Sequence, residues 1–141
     1  MTPPIPPPIR ELAIVNARGF TANPRRPWID ALLVCDGRIM LLGASAEVRK
    51  RTGATVPVVD AKGGSLLPSF MSARTESAFT ASVARHRDGG ERALRSGVTA
   101  NLVLLDRDIS QADGDDAGEA RVVLRITAGV VLHDPGGLLG R

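Results

Sequence analysis

With 141 residues the chain has room for one domain, burying roughly two-thirds of its unfolded surface. Its 43% apolar content excludes a wholly disordered chain. One Trp, no Tyr and three Phe leave the core to Val, Leu, Ile and Ala. The formal charge of +3 sets 18 Lys and Arg against 15 acidic residues, and only Lys50 and Lys62 are lysine. The arginines are scattered, with no run longer than Arg25-Arg26. Without a basic stripe or aromatic residues placed for base stacking, we expect no nucleic-acid partner.

The first ten residues hold Pro3, Pro4, Pro6, Pro7 and Pro8 and read as an extended, polyproline-like arm over 1–10. Leu12-Ala13-Ile14-Val15 is a short β-prone run. Asn16 to Gly19 then offers a turn, after which Phe20-Thr21 resumes the strand or begins a hairpin partner. Ala22 to Pro27 is a loop. Two β-prone runs, Ile29 to Cys35 and Arg38 to Leu42, flank Asp36-Gly37. That dipeptide predicts a type I′ hairpin, because both central residues must tolerate positive φ. Ser45 is placed to cap a short helix from Ala46 to Arg51 that Gly53 stops.

Val56 to Val59 predicts a further strand, Asp60 to Gly64 a turn, and Ser65 to Pro68 its continuation. From Ser69 to Gly97 the β pattern breaks, and Ser77 could cap a helix running to about Arg87. Strands return at Ala100 to Asp106, and at Val122 to Thr127 and Val130 to His133 around Ala128-Gly129. Asp113 to Glu119 is a polar loop, and a flexible tail follows His133. Short strands separated by turn residues predict a mainly β fold, a sandwich or small barrel.

In that order, Leu12-Ala13-Ile14-Val15-Asn16-Ala17-Arg18, Asp36-Gly37-Arg38-Ile39, Gly43-Ala44, Val58-Val59-Asp60-Ala61-Lys62-Gly63 and Leu67-Pro68-Ser69-Phe70 resemble the N-terminal part of amidohydrolase-superfamily enzymes. The likeness is to the branch with cytosine-deaminase-like and exoenzyme-regulatory-like members. Gly97 to Asp108 and Val122 to Val131 resemble the segments that return from those enzymes' catalytic barrel. The resemblance implies a composite β-sandwich of about seven or eight strands with one or two short helices. Its N-terminal part would be 11–68 and its C-terminal part 98–134, with 69–97 as a helical or irregular connector and 135–141 as tail. Met71 to Ser96 is too short for a (β/α)₈ barrel, which needs about 200 residues. The family enters its barrel through Leu-Pro-Gly-Phe-Ile-Asp-Ala-His-x-His. Its Gly falls on Ser69, its Asp on Ser72, and its two metal-binding His on Arg74 and Glu76. A guanidinium stays protonated and cannot ligate a hydrolytic metal.

The remaining candidates for chemistry are thin. His86 and His133 are the two histidines and share no metal-ligand spacing. Asp113, Asp115 and Asp116 lack the ligand order of a calcium loop. Gly63-Gly64 and Gly89-Gly90 are not followed by Lys-Ser or Lys-Thr as a phosphate loop requires, and no Gly-x-Ser-x-Gly occurs. Asp60 and Asp106 stand at strand ends, where capping of turns is the ordinary role. Cys35 sits in an apolar run and reads as a buried, inert thiol. As the single cysteine it allows no intrachain disulfide. No apolar run approaches the roughly 20 residues of a membrane span, and no signal-like N-terminus is visible. We therefore expect a cytoplasmic protein without membrane contact, metal, cofactor or catalytic residues. Its expected role is protein interaction, with a homo-oligomer or a larger partner covering the face that a barrel would occupy. The alternative is an accessory subunit of a metal-dependent hydrolase acting on C–N bonds, with the barrel on another chain.

Overall fold

A computed structural model describes residues 10–53, 56–68, 93–107 and 121–133. The Pro-rich arm, most of the connector, the acidic loop and the tail lie outside those residues. The first strand, β1 (Glu11–Val15), ends at Asn16, whose φ of 57° turns the chain sharply. Asparagine tolerates this left-handed conformation better than most residues. The chain then enters β2 (Arg18–Phe20) without pairing β2 to β1. The turn is shorter than the expected Asn16 to Gly19: Arg18 and Gly19 already belong to β2, Thr21 lies beyond it, and β2 pairs with Trp28-Ile29 and Ser65-Leu66 in the second sheet.

After the loop come β3 (Trp28–Ile29) and β4 (Ala31–Cys35), separated by Asp30. The sequence joins Ile29 to Cys35 as one run; the structure splits it. Asp30 donates its N–H to the Gly43 carbonyl at 2.9 Å, and its own carbonyl accepts the Ala17 N–H at 2.8 Å. These two bonds bend the chain from one sheet to the other. The hairpin of β4 and β5 (Arg38–Gly43) follows as expected, with φ of 51° at Asp36 and 78° at Gly37. Helix α1 (Ser45–Arg51) is next, then β6 (Val58–Asp60), β7 (Ser65–Pro68), β8 (Leu102–Leu105), β9 (Val122–Thr127) and β10 (Val130–His133).

These strands form two mixed sheets, ordered β5-β4-β1-β6 and β10-β9-β8-β7-β2-β3. The mainly β fold class predicted from the sequence is borne out, with no closed barrel among the described residues. Ten strands are described rather than seven or eight, and the short β2 and β3 account for the excess. Leu12, Ile14, Leu32 and Ile39 of the smaller sheet meet Leu66, Leu102, Leu104, Leu124 and Ile126 of the larger one in a single aliphatic core. Strands β7 and β8 bring residues from before and after the connector into one sheet, with Leu66 opposite Leu104. The other face of the smaller sheet packs Ala13, Val15, Ala31 and Leu33 against Val48 of α1. Ser45 does not cap that helix. The N-cap position is Ala44, whose methyl group offers no hydrogen bond; Ser45 is the first helical residue, and its hydroxyl accepts the Asn16 N–H at 2.9 Å.

The C-terminal hairpin is locked onto the first hairpin at their turns. Ala100 donates its N–H to the Gly37 carbonyl, and Gly129 donates to the Ala100 carbonyl, both at 2.9 Å. A Cβ on Gly129 would lie 2.5 Å from the Gly37 Cα, and φ there is 78°. We therefore expect Gly129→Ala to destabilise the protein by about 3 kcal/mol, combining left-handed strain with overpacking. Ala128 has φ of 53° at the other central position of this turn. Ala128→Asn, better suited to a type I′ turn, is expected to stabilise by about 0.5 kcal/mol. Urea unfolding midpoints of both variants check the pair.

Candidate functional site

The strand-end carboxylates are the residues that sequence alone could offer for acid–base chemistry, and both are engaged with backbone. Asp60 accepts the Lys62 N–H at 2.9 Å and the Asn16 side-chain amide at 3.2 Å, both on Oδ1. The backbone bond from Lys62 and then the Asn16 amide hold its carboxyl below the usual carboxylate range. Asp106 accepts the Arg121 N–H at 3.0 Å and the Arg107 Nε at 3.2 Å. Partial burial pushes its carboxyl upward, but the Arg121 bond and the Arg107 guanidinium outweigh that and leave it lowered. A carboxylate held ionised by backbone donors is a poor proton acceptor, so both residues serve as clamps.

Asn16 completes the first clamp. Besides its bonds to Ser45 and Asp60, its carbonyl accepts the Gly63 N–H at 2.7 Å. The amide, the carbonyl and the side chain of one residue thus tie the β1–β2 corner to the helix start and to the β6–β7 turn. No catalytic geometry results, only rigidity. Sequence reading places a turn at Asn16 but not these partners, which are 29 and 44 residues away along the chain.

The described surface also has a groove that sequence reading misses. On the face of the smaller sheet turned away from the larger one, α1 covers one part and leaves another open. There a cavity of about 610 Å³ is lined by Arg10, Glu11, Cys35, Asp36, Val56 and Pro57. A second, of about 300 Å³, shares Glu11, Cys35 and Val56 and extends to Leu33, Met40 and Arg51. Met40 is 55% exposed because β5 carries a bulge: Leu41 pairs with Leu33 and Ile39 with Val34, leaving Met40 as the extra residue. The signal in the sequence is the unbroken apolar run Ile39-Met40-Leu41-Leu42, which strict alternation cannot bury on one face.

Cys35 corrects one expectation. It is half-buried at the groove rather than enclosed in the core. Desolvation, then the carboxylates of Asp36 and Glu11, push its thiol up from the ordinary value. At neutral pH it is a thiol, not a nucleophilic thiolate.

Arg74, Glu76, Ser69, Ser72, His86, Asp113, Asp115 and Asp116 lie outside the described residues, as does the His133 side chain. Among the described residues no three His, Cys, Asp or Glu side chains converge in a way that could hold a metal ion. Among the same residues no helix is long and apolar enough to cross a membrane.

The ordered sequence motifs are similar to part of an amidohydrolase-type chain. An N-substituted formamide deformylase of Arthrobacter pascens is 35% identical over 65 residues, which is 46% of this chain. The chain spans 12% of that protein's length. An uncharacterized metal-dependent hydrolase from Pyrococcus horikoshii OT3 aligns over 42% of this chain and 12% of its own, at 22% identity and a TM-score of 0.37. Enamidase, a member of the amidohydrolase superfamily, aligns over 42% of this chain and 16% of its own, at 26% identity and a TM-score of 0.36. No family model matches the chain.

Three outcomes follow from the geometry. Asn16→Ala should cost about 2 kcal/mol in unfolding free energy through lost hydrogen bonding and left-handed strain, and Asn16→Gly should cost less because glycine accepts the conformation. Because the folded carboxyls of Asp60 and Asp106 are depressed, their stabilisation is present above about pH 4 and is lost as pH falls through the folded values. Asp106→Ala should lower stability at pH 7 by about 1 kcal/mol and flatten the acid loss, read by urea midpoints from neutral to acid pH. Cys35 should alkylate more slowly at neutral pH than a free cysteine, and Asp36→Asn should speed the reaction, as followed by thiol-reagent kinetics.

Proposed function

We propose that this chain is a composite β-sandwich module of amidohydrolase type that performs no hydrolysis itself and acts by contact with another protein. The observation that carries this reading is the use made of its acidic groups. Asp60 and Asp106, the carboxylates best placed by the strands, are committed to backbone donors at 2.9 and 3.0 Å. The sequence supports it too: Arg74 and Glu76 stand where the resembled enzymes carry two metal-binding imidazoles. The partner is a second copy of this chain or a larger protein covering the face that a barrel occupies in the full-length enzymes. A cytoplasmic setting suits a chain with one unpaired cysteine.

The match to the deformylase favours a second reading, in which the module supports hydrolysis of a C–N bond by a barrel on a separate chain. The two readings part on whether a hydrolase loses activity when this chain is removed.

The purified protein is expected to retain no stoichiometric zinc and to leave N-substituted formamides unchanged. Turnover that disappears on chelation would overturn the non-catalytic reading. Sedimentation is expected to give a dimer or larger species. A clean monomer that binds no apolar dye would remove the reason for a partner.

A further inference from the structure

We draw no further inference here: the strongest candidate, the groove beside α1 on the outer face of the four-stranded sheet, with Cys35 and Val56 in its lining and Met40 at its margin, is an unpartnered face, and nothing in the structure shows what covers it.

Discussion

Two chain segments cross from one sheet to the other side by side, and the rest of the architecture depends on their being tied at that crossing. β1 runs through Asn16 into β2, and β6 runs through the Asp60–Gly64 turn into β7. Because both pass in the same direction, β1 pairs parallel with β6 in one sheet and β2 parallel with β7 in the other. The corners are joined by Ala61 N–H to the Val15 carbonyl, Gly63 N–H to the Asn16 carbonyl and Arg18 N–H to the Gly64 carbonyl, at 2.7 to 2.9 Å. Gly64 has no room for a side chain, since a Cβ would sit 2.2 Å from the Leu105 carbonyl oxygen. A corner that exposes backbone must satisfy it locally, and here it does so with a neighbouring corner rather than with water.

That constraint explains why the acidic residues are structural. A strand end at a tight corner leaves N–H groups without ladder partners, and a short carboxylate is well suited to accept them. Asp60 does this for Lys62, and Asp106 does it for Arg121 across the β8–β9 junction. The charge of Asp60 stabilises a turn and that of Asp106 ties the end of β8 to the start of β9, which removes both from the pool of groups free to move protons.

Features set by neighbours in sequence were legible before the fold was seen. Asp36-Gly37 and Ala128-Gly129 announce their turns because positive φ is a local demand, and β9 and β10 occupy the residues predicted for them. Features set by distant partners were not. Ile29-Asp30-Ala31 reads as continuous strand until the Gly43 carbonyl captures the Asp30 N–H. Ser45 has the chemistry of an N-cap, but it is the first helical residue and its hydroxyl accepts the Asn16 N–H. The groove depends on how far α1 extends over the sheet and on a bulge at Met40, neither of which a period-two pattern encodes. The likeness to amidohydrolases was readable from the order of short motifs, although each motif alone is weak.

The division of strands between the sheets sets an order of assembly during synthesis. Every strand of the four-stranded sheet lies between Glu11 and Asp60, so that sheet can close while the ribosome is still making the remainder. The six-stranded sheet cannot. Until Leu102 to Leu105 emerges, β7 presents an open edge. A nascent chain at that stage risks premature pairing of the edge, which β8 to β10 remove when they join the larger sheet.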